Sequence, residues 1–284
     1  MSAALPADNS DQIAYWNGEG GTRWLRGTER LEQGLTPLGL AALNAAGLKT
    51  GEHVLDIGCG TGPTSIKLAQ AVGPKGLVLG VDVSQPLIDA ARRNAAGMAN
   101  LQFMLADASQ HKFEPSFDLL FSRFGVMFFA DPAAAFSHLR GALKPGGRLA
   151  FVCWRTFKEN DWAFQPFMAA VPHLPPIERP APNAPGPFAF GDGERLRGIL
   201  GQAGFADVKL DKLDRHMPAG ATVEEATAFA SETGPVSRVM NDASEDQRRK
   251  ARGAIGAMFA KRAAEGQNLG LPAACWIANA RNPA

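Results

Sequence analysis

The chemical content of this chain is concentrated in a few acids and glycines. Val54-Leu55-Asp56-Ile57-Gly58-Cys59-Gly60-Thr61-Gly62 sets an acid two residues before three alternating glycines, and Asp82 stands twenty residues after the last of them. A third acid, Asp107, follows in Leu105-Ala106-Asp107-Ala108. Glycines in such a run let the backbone turn tightly and let a ligand lie against the main chain, while a helix opening behind them offers free N–H groups to an anionic group. A carboxylate placed like Asp82 can accept hydrogen bonds from both ribose hydroxyls, and one placed like Asp107 from an adenine amino group. Together they point to an adenosine-containing ligand. The spacing is GxGxG, with Pro63 where the dinucleotide pattern GxGxxG needs its third glycine, which counts against NAD.

These residues are useful only if the elements around them bring them to one place. Five short apolar runs read as strands: 53–57, 77–82, 101–105, 117–122 and 147–154. Segments of helical period separate them, the pattern of parallel βα units and a doubly wound α/β sheet. A helix is expected from Thr64 to Ala71, directly after the glycine turn. Ser84 can cap a helix with Pro86 in its first turn, and Asp131 can cap one that begins at Pro132, presents Phe136, Leu139 and Leu143 on one face, and stops at Lys144-Pro145-Gly146-Gly147. All three acids then lie at the carboxyl ends of successive strands, facing the crevice where such sheets bind ligands. Beyond residue 154, eight prolines among the 22 residues 166–187 exclude an ordinary helix or a central strand and predict an ordered loop. A helix over 192–203, a strand over 205–213, helices over 222–233 and 244–265, and a last strand over 272–280 complete the expectation.

Composition narrows the function. The 284 residues carry 29 basic and 28 acidic side chains, a net charge of +1, so no overall field draws the protein to nucleic acid or an anionic membrane. Cys59, Cys153 and Cys275 lie far apart without a CxxC pair, and the five histidines lack HxxxH or HxH spacing, so no metal is expected. Nothing approaches the roughly 18 consecutive apolar residues of a membrane span, and the first ten residues lack the features of a secretion signal. A cytoplasmic address is expected.

The runs VLDIGCGTG (54–62), GVDVS (80–84), LADA (105–108), FDLLFSRFGVMFF (117–129) and LKPGGRLAF (143–151) resemble class I S-adenosylmethionine-dependent methyltransferases, within them the small-molecule enzymes similar to ubiquinone and menaquinone biosynthesis methyltransferases. The resemblance covers about residues 50–155. It implies a Rossmann-like seven-stranded doubly wound sheet whose last strand is antiparallel. It also implies that Gly58, Cys59, Gly60 and Gly62 lie at the methionine part, with Asp56 supporting its amino group. Asp82 would bind the ribose, Val83 would pack on adenine, and Asp107 with the Ala108 backbone would read the adenine amino group. Ser122 and Arg123 would border the sulfonium and the acceptor, and Trp16, with Tyr15 and Trp24, would belong to an aromatic segment covering the cofactor. The division expected is a helical lid (1–49), the cofactor-binding core (50–154), a proline-rich cap insertion (155–191), a core continuation (192–213), a helical cap insertion (214–271) and a final core strand (272–284). The roughly 58 residues between the last two strands exceed the short hairpin of many relatives and leave the acceptor pocket open.

Methyl transfer from a sulfonium is an in-line displacement in which alignment and water exclusion do most of the work, so no obligatory catalytic residue is expected. For an acceptor with a mobile proton, the candidate bases are Tyr15, His111 and His138, with His138 expected on a solvated face, and Arg123 is a candidate for an acceptor carboxylate or a salt bridge. Trp154, Asn160, Trp162, Phe188 and Phe190 suit either the wall of a pocket for an aromatic or lipophilic acceptor or the small core of the cap itself. Cys59 reads as a small residue in a crowded turn, and Arg248, Arg249, Lys250 and Arg252 as a solvated helix face. The alternatives are a methyltransferase on a macromolecule (nucleic acid or protein), whose base N-methylating form the missing D/N-P-P-aromatic motif at Ser122-Arg123-Phe124-Gly125 argues against, an NAD-dependent oxidoreductase, and a cofactor-binding protein without chemistry.

Overall fold

The computed structural model describes residues 8–176, 181 and 183–283. Residues 1–7 of the leader, and 177–180 and 182 of the proline-rich stretch, lie outside them. Seven strands form one sheet: β1 (His53–Ile57), β2 (Leu77–Asp82), β3 (Leu101–Leu105), β4 (Phe117–Arg123), β5 (Leu143–Trp154), β6 (Ala206–Met217) and β7 (Leu271–Arg281), in the order β3-β2-β1-β4-β5-β7-β6. Strands β1 to β5 run parallel. β1 is buried along almost its whole length, as a central strand covered on both faces must be, and its register sets Val54 beside both Val78 and Leu119. Backbone hydrogen bonds join Gly146 and Gly147 to Asn282, and Arg155 to Ala274, so β7 runs against β5. Strand order reverses between β1 and β4, which makes their carboxyl ends the switch point of the sheet.

Ten helices accompany the strands among the described residues. α1 (Ser10–Asn17) and α2 (Glu19–Ala45) precede β1, α3 (Pro63–Val72) follows the glycine turn, α4 (Gln85–Asn94) follows β2, and α5 (Pro132–Arg140) follows β4. After β5 come α6 (Asp161–Ala170) and α7 (Gly193–Gln202), and between β6 and β7 lie α8 (Val223–Glu232), α9 (Gly234–Asn241) and α10 (Glu245–Ala264). The chain packs as two compact units, one formed by the described residues of 1–153, 183–213 and 275–284, the other by those of 154–182 and 214–274. In the first, Phe136, Phe151 and Phe190 form a buried aromatic cluster with ring centroids 5.6 to 6.4 Å apart. In the second, α10 buries Ala251, Ile255 and Phe259, one residue every four, and packs on α6 and α8.

Four local expectations need correction. The proline-rich stretch begins inside a helix, because α6 runs through Pro166 to Ala170. Proline removes one N–H from the ladder, and the rest of α6 is held by burial of Ala163, Pro166 and Ala170. Leu143 belongs to β5, which starts four residues early. α5 ends at Arg140, and a register shift between the Phe117 and Leu119 pairings accommodates the Lys144-Pro145-Gly146-Gly147 segment. α9 went unread because Gly234 and Pro235 look like a loop, whereas they form its first turn. Ser84 occupies the N-cap position of α4 without capping it, since its hydroxyl donates to the Trp16 carbonyl at 2.8 Å.

Candidate functional site

The three carboxylates stand at the ends of β1, β2 and β3. Asp56 is buried, and the Ser65 hydroxyl on α3 donates to its Oδ2 at 2.6 Å. Burial pushes its pKa up to about 7, against the Ser65 hydrogen bond and the charge of Arg123, which lower it, with a further push from Asp82. Asp82 ties β2 to the glycine turn: its Oδ2 accepts from the Gly60 amide at 2.8 Å and its Oδ1 from the Ser84 amide at 3.0 Å. Desolvation raises its pKa above the usual carboxylate range, opposed by the amides of Gly60, Ser84 and Val83. Asp107 accepts three hydrogen bonds on Oδ1, from the Ser109 amide, the Ser109 hydroxyl and the Asn9 side chain, at 2.8 to 2.9 Å. Asp56 Oδ1 and Asp107 Oδ2 are both buried without a hydrogen-bond partner among the described residues.

The turn between β1 and α3 needs its glycines. Gly58, Gly60 and Gly62 take φ of 67°, 57° and 84°, the left-handed region that costs any other residue strain. A Cβ on Gly58 would lie 2.7 Å from the Gly125 Cα, and one on Gly62 would lie 2.9 Å from the Phe103 ring. Cys59 is buried in this turn, and burial pushes its thiol well above the ordinary range, so it stays protonated and is no nucleophile.

At the end of β4 the side chains are already engaged. The buried Ser122 hydroxyl donates to the Ile57 carbonyl at 2.7 Å and accepts from the Gly125 amide at 3.2 Å, joining the ends of β1 and β4. Arg123 forms a two-pronged ion pair with Glu32 of α2, at 2.6 and 2.7 Å, so its guanidinium serves the leader. Phe124, the next residue, has φ of 61° and is buried. A bulky residue there is strained, and such strain concentrates at functional sites.

The leader reaches the strand ends through side chains. Trp16 makes edge contacts with Tyr15, Trp24 and Phe128, and Trp24 Nε1 would lie 3.8 Å from a Cβ on Gly60. The Asn17 amide donates to the Val83 carbonyl at 2.8 Å and accepts from the Gln85 amide at 3.0 Å. Asn9 occupies the N-cap position of α1 without capping it, and instead joins Asp107, Ser109 and the Ala130 amide. Gln12, one turn along, has a buried Oε1 without a partner among the described residues. Sequence reasoning missed Asn9, Gln12, Asn17, Glu32 and Phe124, and no local motif marks them.

The remaining candidates take quieter places. Ala108 is buried and Val83 half-buried. His111 is exposed, with its ring against Phe113, and its carbonyl meets His138 Nε2 at 2.8 Å. His138 is therefore half-buried rather than on a solvated face. Phe190 lies in the aromatic core of its unit and Phe188 is half-buried. Trp154 packs on Trp162 with centroids 4.9 Å apart, and Trp162 donates to the buried Asn160, which exchanges hydrogen bonds with the Ala274 backbone. That trio forms part of the interior of the second unit. Among the described residues no three His, Cys, Asp or Glu side chains gather as metal ligands.

Residues 54–147 match a family described as a methyltransferase domain. Aklanonic acid methyltransferase of Streptomyces sp. strain C5 is 36% identical over 155 residues, covering 51% of this chain and 70% of that protein. Demethylmenaquinone methyltransferase of Staphylococcus saprophyticus is 32% identical over 174 residues, covering 57% and 74%. Among solved structures, phosphoethanolamine N-methyltransferase 2 of Haemonchus contortus in complex with S-adenosyl-L-methionine matches with a TM-score of 0.61 at 19% identity, over 96% of this chain and 60% of that one. This last likeness is one of fold.

Proposed function

The chain belongs to the S-adenosylmethionine-dependent methyltransferases, and from that premise we propose that it methylates a small aromatic or lipophilic acceptor, holding its cofactor along the carboxyl ends of β1, β2 and β3. The observation that carries the placement is the pair of buried carboxylate oxygens without a partner among the described residues, Asp56 Oδ1 and Asp107 Oδ2. A buried acceptor left unsatisfied costs about 1–3 kcal/mol, so two on neighbouring strand ends are sites awaiting donors. An amino acid ammonium suits the first and an adenine amino group the second.

In this reading Gly58, Cys59, Gly60 and Gly62 present bare backbone to the methionine part, and Asp82 takes the ribose hydroxyls while its amide contacts keep it oriented. Val83 packs on adenine, Asp107 and the Ala108 backbone read its edge, and Trp16 covers it. S-adenosylmethionine, when bound, supplies a methyl group on a sulfonium leaving group. The chain contributes alignment and exclusion of water. The backbone at Ser122 and Arg123 borders the reacting centre, while their side chains hold Ile57 and Glu32. No proton transfer is assigned to Tyr15, His111 or Arg123.

The acceptor class is supported by relatives named for aklanonic acid and demethylmenaquinone. A net charge of +1 supports a small-molecule partner over nucleic acid, and three free buried cysteines support a reducing, cytoplasmic address. No helix among the described residues is long and apolar enough to cross a membrane. Calorimetric titration with S-adenosylmethionine, S-adenosylhomocysteine and NAD in parallel tests the cofactor site: micromolar binding of the first two and none of NAD is expected, and binding of NAD alone overturns the reading. Labelled methyl transfer across a panel of aromatic, lipophilic and nucleic-acid acceptors then tests the substrate class.

A further inference from the structure

Asn9 sits where an asparagine ordinarily accepts a hydrogen bond from the first turn of its own helix, and it does not do so. Its side chain is buried, and every polar group on it is engaged by the loops that follow β3 and β4. Nδ2 donates to Asp107 Oδ1 at 2.9 Å and to the Ser109 hydroxyl at 3.0 Å, and Oδ1 accepts from the Ala130 amide at 2.8 Å. With the Ser109 amide and hydroxyl also on Oδ1, one carboxylate oxygen of Asp107 is saturated and the other, Oδ2, has no partner among the described residues. A carboxylate gripped on one oxygen by three donors has a single orientation left, and the free oxygen points one way.

We propose that Asn9 is a positioning residue for cofactor recognition: reaching across from the leader, it locks Asp107 so that Oδ2 accepts from the exocyclic amine of adenine. The inference rests on the cofactor reading above and goes beyond it by making base specificity depend on a residue 98 positions earlier in the chain. Asn9 does not touch the ligand. It acts by holding the orientation of Asp107, as supporting residues hold a binding group in place. Asn17, at the other end of the same helix, holds Val83 and Gln85 and leaves Asp107 alone.

The test compares two ligands on three proteins. The ligands are S-adenosylhomocysteine and its deaminated analogue, in which a carbonyl oxygen replaces the exocyclic amine and faces the carboxylate with an acceptor. The wild-type protein should prefer the amine at least tenfold. Asn9→Ala should cut that preference to threefold or less, and Asn9→Leu, which is close in size and has no donor, should do the same if the alanine variant folds poorly. Asn17→Ala should weaken both ligands together and keep the preference, because loosening the helix alone does not turn Asp107. A preference retained in folded Asn9 variants, or lost equally in Asn17→Ala, overturns the role of Asn9 and leaves the cofactor site standing. Equal binding of both ligands by the wild-type protein, or binding of neither, overturns the placement of adenine at Asp107 and the inference with it.

Discussion

The strand ends of the first unit and the helices α8 and α10 of the second treat the same local rules in opposite ways. In the second unit, Thr222 caps α8 by accepting from the Glu225 amide, and Ser244 caps α10 in a reciprocal box with Gln247. Its buried arginine, Arg155, is paired with both Glu159 and Asp214. Around the strand ends, Asn9 and Ser84 hold N-cap positions and give up the cap to reach another element, Phe124 sits at positive φ, and Asp56 and Asp107 each keep a buried oxygen without a partner among the described residues. A sequence that satisfies every local preference yields a stable element. Asn160 gives up the cap of α6 in the same way, for the Ala274 backbone, so what distinguishes the strand ends is the pair of carboxylate oxygens without a partner among the described residues.

The sharpest way to break this comparison is Gly58→Ala. Left-handed strain of about 1–2 kcal/mol and overpacking against Gly125, about 1–3 kcal/mol, should together lower stability by about 2–5 kcal/mol in urea unfolding. A loss below about 1 kcal/mol would show that the turn has room. Asp82→Ala comes next and should weaken S-adenosylmethionine at least tenfold, about 1.4 kcal/mol, by calorimetry. Unchanged affinity would remove Asp82 from the site.

Asp56 sharpens the contrast through pH. It titrates near pH 4 in an unfolded chain and near 7 in the fold, so between those values the folded protein holds the extra proton and stability falls as pH rises. Asp56→Asn should flatten unfolding free energy against pH across that window and leave the protein relatively more stable near pH 7. A slope of opposite sign in the wild-type protein would contradict the burial argument.

Two smaller effects compare like with like. Ser244→Ala should cost about 1 kcal/mol of stability, the usual worth of a cap, with no change in cofactor affinity, whereas Ser84→Ala should leave α4 no less capped and show its effect in cofactor binding. Gly253→Ala, in open space on α10, should stabilise by about 0.5–1 kcal/mol, opposite in sign to Gly58→Ala. Thermal unfolding of the four variants in parallel, with and without S-adenosylmethionine, decides both comparisons.

Much of the fold was legible because it is written locally. The apolar runs 53–57, 77–82 and 101–105 coincide with β1, β2 and β3, and Asp131 caps its helix as its type suggests. Where the reading slipped, tertiary context outweighed propensity. Pro166 is held inside α6 by burial, and Leu143 was drawn from helix to sheet by its pairing with Phe117. Within the candidate site, the glycine turn and the acids could be named from spacing, but the engagement of Arg123 with Glu32, 91 residues away, could not.

The sequence alone determined which residues stand at the strand ends, since hydrophobic period, glycine and capping chemistry act over a few positions. Tertiary structure decided what each of those residues is free to do. It gave Arg123 to the leader, Ser122 to the Ile57 carbonyl and one oxygen of Asp107 to Asn9, and left the other oxygen without a partner among the described residues. Hydrogen-bond partners across 65 to 121 residues are chosen by how elements pack, and no local pattern carries that choice.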